Sequence, residues 1–309
     1  MTLATASTGF SQVRSTVHSD VFALGGDLPV CRLGYGAMQL TGRGVWGEPE
    51  DHDQAVAVLR RAVALGVNFI DTADAYGPEV SESVIAEALR PYPADLVIAT
   101  KGGVRRPGPD RWVEDGRPES LRKACEASLR RLQRDRIDLY QLHRIDPMVP
   151  LADQIGALAD LRRQGKIRHI GLSDVIVPQI EVARQIAPIV SVQNRYNLAD
   201  RNSEEVVDYC TGENMAFIAY YPLAIGFLAH PGGLLGRVAR STGAQPAQLA
   251  LAWLLQRSPA LLAIPGTSKI THLEENVAAA QMKLPAAAIE QLEQASATIE
   301  DVVPRWFCD

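Results

Sequence analysis

The chain alternates short apolar segments with longer amphipathic ones, and this alternation restricts its fold more than any other feature. Eight apolar segments of strand length follow one another, and each is followed by a helical pattern. The strands are predicted around Val30 (continuing to Gly36), Val67, Leu96, Ile137, Ile167, Ile189, Met215 and Leu261. The helices are predicted over residues 52–66, 80–90, 118–133, 151–164, 178–187, 203–212, 245–257, 271–280 and 286–298.

Strands that alternate with helices of about 10–15 residues form parallel sheets with right-handed crossovers. Eight such units close into a (β/α)8 barrel, and the length of 309 residues suits one barrel. An open doubly wound sheet is the alternative. No Gly-x-Gly-x-x-Gly motif follows the first strand, so a Rossmann dinucleotide site has no support.

Both ends of the chain carry additions to this pattern. Two short apolar segments flank a Gly-Gly-Asp turn within residues 22–30, which predicts a β-hairpin that forms a lid or floor. Residues 1–14 are rich in Ser, Thr and Ala and are predicted to be a loose tail. We therefore expect residues 15–309 to form a single (β/α)8 TIM barrel with an N-terminal β-hairpin and a C-terminal helix plus tail.

Composition narrows the classes of partner. The 31 basic and 36 acidic side chains give a formal charge of −5 without long like-charge runs, which argues against nucleic acid or an anionic membrane. Four widely spaced cysteines without a Cys-x-x-Cys, and no apolar run near the ~20 residues of a membrane span, indicate a cytoplasmic protein. We expect small-molecule partners, and the oligomeric state stays open.

The residues that follow the strands are polar, although the strands are apolar. They are Asp71, Lys101, His143, Ser173, Gln193, Tyr220 and Gly266. In a (β/α)8 barrel these positions meet on one face, where such folds carry their chemistry. Each has an ordinary interpretation alone, such as a helix cap or a surface residue. Their joint occurrence favours a site.

Three of these side chains, Asp71, Lys101 and His143, predict a proton-transfer site together with Tyr76. Tyr76 lies five residues after Asp71 and is the candidate general acid. We expect the ammonium of Lys101 to lower the pKa of the phenol, since a nearby cation stabilises the phenolate. Asp71 is expected to pair with Lys101, and His143 to orient the substrate oxygen or join the proton relay. Such an array fits the reduction of a carbonyl.

Six segments carry a resemblance to a known family. They are residues 66–77 (GVNFIDTADAYG), 99–101 (ATK), 138–143 (DLYQLH), 165–173 (GKIRHIGLS), 192–198 (VQNRYNL) and 264–268 (IPGTS) leading to 273–276 (LEEN). In this order and spacing the chain resembles the aldo-keto reductase superfamily along nearly its whole length. Residues 141–147 (QLHRIDP) resemble a bacterial branch that includes pyridoxal reductases.

The resemblance implies NAD(P)H-dependent reduction of an aldehyde or ketone, reversible in principle. Hydride would come from the nicotinamide and the proton from Tyr76, with Asp71, Lys101 and His143 at the other family catalytic positions. The implied cofactor is NADPH, with NADH possible. Its implied contacts are Ser173, Asp174, Gln193, Tyr220, Pro222, Leu223, Gly266, Thr267, Ser268, Lys269, His272, Glu275 and Asn276.

Within that set, Ser173 and Gln193 would bond the nicotinamide carboxamide, and Tyr220 would stack on the ring. Two positions depart from the family pattern. Asp174 stands where an asparagine is usual, so an amide donor has become an acceptor. His272 stands where a basic residue commonly grips the 2′-phosphate of NADP, which leaves Lys269 as the nearest permanent cation.

The substrate pocket is expected to include Trp46, Trp112 and Arg144, with Trp306 or Phe307 as further aromatic candidates. The loop over residues 102–117 is long enough to act as a lid. The resemblance to the branch that includes pyridoxal reductases implies pyridoxal-like molecules and other small cyclic aldehydes or ketones as candidate substrates.

Two other functions remain open. One is a cofactor-binding regulatory subunit that senses redox state, resembling the potassium-channel β subunits of the same superfamily. The other is a metal-dependent hydrolase on the same barrel, which the six scattered histidines do not favour, since no His-x-His stands at a strand end.

Overall fold

The computed structural model describes residues 21–230 and 232–297. The predicted tail of residues 1–14 and the aromatic pair Trp306 and Phe307 lie outside these residues, as do the last residues of the chain. All statements below refer to the described part.

An eight-stranded parallel sheet forms the centre of the fold and confirms the predicted barrel. Its strands are β3 (Tyr35–Gly36), β4 (Phe69–Asp71), β5 (Val97–Gly102), β8 (Ile137–Leu142), β9 (Ile167–Ser173), β10 (Ile189–Arg195), β11 (Ala216–Tyr220) and β12 (Leu261–Ala263). They lie in the order β12-β11-β10-β9-β8-β5-β4-β3. Leu33, just before β3, makes a parallel bridge to Ala263 and brings the two edges of the sheet together.

The helices surround this sheet. They are α1 (His52–Ala64), α2 (Val80–Leu89), α3 (Pro118–Leu132), α4 (Leu151–Arg163), α5 (Val177–Arg184), α6 (Glu204–Gly212), α7 (Gly236–Thr242), α8 (Pro246–Arg257), α9 (Ile270–Ala278) and α10 (Ala286–Ala297). Helix α1 illustrates why these segments form helices. Its backbone N–H at Gln54 donates to the capping carboxylate of Asp51 at 2.8 Å, and its apolar stripe, which includes Val58 and Leu59, is buried.

The predicted hairpin closes the amino-terminal end of the barrel. Its strands β1 (Val21–Leu24) and β2 (Leu28–Cys31) are antiparallel, and their inward side chains pack on residues at the start of the barrel strands, such as Phe69 and Val97. The hairpin is therefore a floor, opposite the ends of the strands that carry the polar residues. This placement corrects the expectation for Val30, which belongs to the hairpin, while the first barrel strand begins only at Tyr35.

The turn of this hairpin requires a glycine. Gly25 has a φ of +63°, and a Cβ there would lie only 2.4 Å from the His169 ring of β9. Asp27 completes the attachment, with its Oδ1 2.6 Å from His169 Nε2. The close approach of the turn to β9 thus fixes the floor on the barrel.

The predicted lid loop contains a hairpin that the sequence did not reveal. Its strands are β6 (Val104–Gly108) and β7 (Arg111–Glu114), paired antiparallel. Their alternation was hidden because an arginine, Arg106, occupies an inward position and is 8% exposed. The short helix α7 was missed for a similar reason, since its seven residues include four polar ones.

Candidate active site

The carboxyl ends of neighbouring strands bring the predicted proton-transfer residues together. Asp71 ends β4, Lys101 lies in β5, and His143 directly follows β8. Tyr76 is carried by the turn after β4, where its backbone N–H donates to the carbonyl of Ala73 at 3.2 Å. The strand order β8-β5-β4 makes these elements adjacent, as the barrel prediction requires.

Asp71 and Lys101 form a buried ion pair. Lys101 Nζ lies 2.5 Å from Asp71 Oδ1, and each residue is 1% exposed. A buried pair is stable only when further hydrogen bonds satisfy its remaining donors and acceptors. Lys101 Nζ also donates to the carbonyl of Thr72 at 2.9 Å and lies 3.5 Å from the hydroxyl oxygen of Tyr76. The cation is thus held beside the phenol.

The acidity of Tyr76 differs from the expectation that the nearby ammonium lowers it. Burial raises the pKa of the Tyr76 hydroxyl well above its ordinary value, and the Asp71 carboxylate raises it further. Because the Asp71 carboxylate lies against Lys101, it offsets the ammonium charge, and desolvation becomes the largest influence on the pKa of the phenol. The phenol consequently carries its proton at neutral pH.

The ring of His143 lies beside Tyr76 and is neutral. Burial lowers its pKa well below the ordinary value, and the charges of Lys101, Arg144 and Arg106 act in the same direction. Its Nδ1 is buried without a hydrogen-bond partner among the described residues. The rings of Tyr76 and Trp112 each meet the His143 ring edge-on at centroid distances of 6.0 Å. A neutral imidazole here has one N–H for a ligand oxygen.

A cavity of 1030 Å³ opens above these residues. Asp71, Tyr76 and His143 lie in its wall, together with Trp112 and Arg144 from the predicted substrate pocket. Every residue predicted to contact the cofactor also lines it: Ser173, Asp174, Gln193, Tyr220, Pro222, Leu223, Gly266, Thr267, Ser268, Lys269, His272, Glu275 and Asn276. A second cavity of 680 Å³ beside the floor hairpin contains none of these residues.

Trp46 is not part of the cavity wall, in contrast to its prediction as a pocket residue. The guanidinium of Arg106 lies between two indole rings, 5.7 Å from the centre of Trp46 and 3.8 Å from that of Trp112. Arg106 also donates to the backbone carbonyls of Gly44 and Ala75, at 2.8 and 3.2 Å. Trp46 therefore contacts Arg106 of the hairpin, and of these two tryptophans only Trp112 lines the cavity.

Asp174 and Tyr220 form one unit of the wall. The Tyr220 hydroxyl donates to Asp174 Oδ1 at 2.8 Å, and Arg144 Nε lies 3.5 Å from Asp174 Oδ2. The Asp174 side chain is 33% exposed. Desolvation within the cleft raises its pKa, while the Tyr220 hydrogen bond and Arg144 oppose that rise. Its φ of +56° is a conformation that Asp and Asn both tolerate, so the exchange of one for the other costs the backbone little.

Gln141 is a buried polar residue that sequence reasoning did not assign to the site. Its Nε2 donates to Asp71 Oδ2 at 3.0 Å. A signal was available, because Gln141 lies two residues after Leu139 in β8 and two residues before His143, so the alternation of a strand gives it the same side as Leu139, which packs with Phe69 and Ala99 of neighbouring strands. A glutamine at an inward barrel position needs a partner.

The fold and the cavity define a class of protein: a (β/α)8 barrel with a large cleft at the carboxyl ends of its strands, where a buried Lys-Asp pair meets a phenol and an imidazole. Comparison with known proteins identifies the family. Residues 32–297 match the model of the aldo/keto reductase family, and the chain belongs to it. It is therefore an oxidoreductase of that family.

Three relatives illustrate the similarity. The chain is 51% identical to an uncharacterized oxidoreductase of Schizosaccharomyces pombe over 269 residues, which covers 87% of this chain and 88% of the relative. It is 46% identical to pyridoxine 4-dehydrogenase of Escherichia coli over 283 residues, which covers 90% and 98%. The crystal structure of an aldo-keto reductase from Klebsiella pneumoniae in complex with NADPH superposes with a TM-score of 0.74 at 29% identity, covering 89% and 94%.

Proposed function

We propose that this protein is an NADPH-dependent reductase of small aldehydes or ketones, reversible as an alcohol dehydrogenase, with Tyr76 as the proton donor. One observation carries the proposal. The protonated phenol of Tyr76 stands at the wall of the large cleft, with the Lys101 ammonium 3.5 Å from its oxygen and the neutral His143 ring beside it.

The proton half of the reaction follows from these side chains. When bound, NADPH supplies a hydride to the carbonyl carbon, and the carbonyl oxygen becomes an alkoxide. Tyr76 O–H donates its proton to that oxygen, and Lys101 stabilises the phenolate that remains. His143 donates a hydrogen bond to the same oxygen and fixes its direction. Asp71 acts indirectly, because it holds Lys101 in place.

The cofactor contacts are proposed from the cleft wall. We propose that Ser173, Asp174 and Gln193 bond the nicotinamide carboxamide and that Tyr220 stacks on the ring; all four line the cleft. Pro222 and Leu223 follow β11, and the other contacts predicted from sequence follow β12 and lead into α9, whose amino terminus suits a phosphate. Lys269 and His272 are the proposed partners of a 2′-phosphate, which supports NADPH over NADH.

We propose pyridoxal-like cyclic aldehydes as the substrate class. The similarity to a pyridoxine 4-dehydrogenase supports this choice, as does the flat indole of Trp112 beside Tyr76 and His143. Arg144 is already shared between Glu114, at 3.2 Å, and Asp174. A neutral aldehyde therefore fits better than an anionic one.

We propose the cytoplasm as the place of action. Cys31, Cys125 and Cys210 are free thiols buried in the structure, which suits a reducing compartment. None of the described helices has the length and apolar character needed to cross a membrane.

The test is a panel of aldehydes, ketones and alcohols, including pyridoxal and pyridoxine, assayed with both reduced and both oxidised nicotinamide cofactors. We expect NADPH oxidation with pyridoxal and a far slower reaction with NADH. Tight NADPH binding without turnover of any carbonyl, and without a difference between the protein and its Tyr76→Phe variant, would refute catalysis. That result would favour the redox-sensing regulatory subunit.

A further inference from the structure

The carboxylate of Asp71 accepts hydrogen bonds from three buried side chains. Its Oδ1 accepts from Lys101, and its Oδ2 accepts from Nε2 of Gln193 at 2.8 Å and Nε2 of Gln141 at 3.0 Å. Gln141 and Gln193 are 0% and 2% exposed. The buried charge is therefore compensated by one cation on one oxygen and two amides on the other.

We infer that Gln141 is a positioning residue for proton transfer and that, with Gln193, it links the nicotinamide end of the cleft to the Asp71–Lys101 pair. This inference rests on the proposed function. Gln193 lies in the cleft wall, where the cofactor is proposed to bind, whereas Gln141 is fully buried outside that wall. Gln141 therefore acts through Asp71.

The orientation of both amides follows from the chemistry of the carboxylate. An ionised carboxylate only accepts hydrogen bonds, so Gln141 and Gln193 must both turn their NH2 groups toward Asp71. Gln193 Nε2 also lies 3.5 Å from Gln141 Oε1, which orders the two amides against each other. The Oε1 atom of Gln193 is left for the cleft. Gln193 thus presents an acceptor to the amide of a bound nicotinamide.

Packing fixes Gln141 in this arrangement. A Cβ at Gly171 on the neighbouring strand β9 would lie 3.0 Å from Gln141 Cγ and 2.3 Å from Ser191 Oγ. Gly171 therefore supplies the space that the glutamine stem occupies. The tight fit leaves the amide little freedom to turn away from Asp71.

The effect of Gln141 on Tyr76 has a definite sign. The negative charge of Asp71 is among the causes that raise the pKa of the phenol. Each N–H that donates to Asp71 partly neutralises the carboxylate charge. Loss of the Gln141 amide therefore leaves a stronger negative potential at the Tyr76 hydroxyl. The pKa of Tyr76 then rises further, and the phenol becomes a weaker acid. A freer Asp71 also holds Lys101 less firmly beside the phenol.

The experiment compares Gln141→Met with Gln141→Glu, using NADPH and pyridoxal. Met has a similar volume without a donor, whereas Glu adds a second carboxylate against Asp71. We expect Gln141→Met to lower kcat at least tenfold and to move the alkaline limb of the kcat profile to higher pH. The KM for pyridoxal and the Kd for NADPH should change less than threefold. Gln141→Glu should lose more kcat, with a larger shift.

Ser191→Ala is the matched control. Ser191 is buried on β10 near Gln141, and its hydroxyl has no hydrogen-bond partner among the described residues, so its loss should leave kcat and the pH profile unchanged. Circular dichroism and NADPH binding confirm that each variant is folded. If Gln141→Met does not fold, Gln141→Leu, which is smaller and also lacks a donor, provides the same comparison.

Three results would overturn the inference. In the first, the Met or Leu variant keeps kcat within twofold. In the second, kcat falls without a shift of the alkaline limb, which indicates packing damage alone. In the third, Met and Glu have equal effects, which excludes the electrostatic account. An unsubstituted protein that reduces no carbonyl refutes the proposed function instead, so the two failures are distinguishable.

Discussion

Replacing Lys101 with methionine removes one partner of a buried ion pair and leaves the other without its cation. Lys101 and Asp71 are almost fully buried, with 2.5 Å between Nζ and Oδ1. Breaking such a pair costs about 3–5 kcal/mol, because the remaining charge stays in the interior. At about 2 °C per kcal/mol for a large domain, the melting temperature should fall by roughly 6–10 °C.

A second substitution separates stability from catalysis. In Lys101→Met with Asp71→Asn the uncompensated charge is gone, while the asparagine oxygen still accepts from Gln141 and Gln193. We expect the double variant to recover more than half of the lost free energy of unfolding. Neither variant should recover turnover, because the phenolate of Tyr76 lacks its cation in both. The loss of kcat should be on the order of 10²-fold or more.

Urea unfolding followed by tryptophan fluorescence measures the stabilities, and NADPH oxidation measures kcat across pH. Lys166→Met is the matched control. Lys166 pairs with Glu126 at 2.6 Å, but its side chain is 33% exposed, so its loss should cost less than about 1 kcal/mol. The reasoning fails if the double variant is no more stable than Lys101→Met. It also fails if Lys101→Met keeps the alkaline limb of the profile and more than a tenth of the turnover.

Three further predictions concern the same cleft. Tyr76→Phe should lower kcat by about 10²–10⁴-fold with a change in NADPH affinity below threefold in a fluorescence titration, and a variant with half the normal rate would exclude Tyr76 as the proton donor. Burial lowers the pKa of His143, so below about pH 6.5 the unfolded chain takes up a proton at this residue and the folded protein does not. The free energy of unfolding should therefore decline as the pH falls through this range, and it should decline less steeply in His143→Gln. Lys269→Ala should weaken NADPH binding about tenfold and leave NADH binding unchanged, and His272→Ala should have a smaller effect. Equal losses of affinity for both cofactors would refute a contact between Lys269 and the 2′-phosphate.

The lid hairpin (β6–β7) and the floor hairpin (β1–β2) show which elements a sequence pattern can predict and which it cannot. The floor was predicted from two apolar segments around a Gly-Gly-Asp turn, because alternation and turn chemistry are local properties. The lid hairpin escaped notice because Arg106 fills an inward position, and an arginine is buried only when carbonyls and indole rings surround it. Trp112 belongs to the same hairpin, but the carbonyls of Gly44, Val45 and Ala75 come from loops far along the chain. No short window of sequence around Arg106 contains these carbonyls.

The same distinction holds for the candidate site. The sequence by itself determined the barrel, since strand and helix periods are local, and it determined that Asp71, Lys101 and His143 would gather, since consecutive strand ends meet on one face. Only the tertiary structure decided the acidity of Tyr76. The pKa of a phenol depends on burial and on every charge around it, and the expected lowering by Lys101 is outweighed by desolvation and by Asp71.

The partners of Asp71 were likewise decided in three dimensions. Gln141 lies 70 residues and Gln193 lies 122 residues further along the chain, on strands that the closed barrel brings around one carboxylate. The sequence marks each as a polar residue near a strand end. It does not show which acceptor their amides share, because hydrogen bonds across a barrel depend on strand register and side-chain packing.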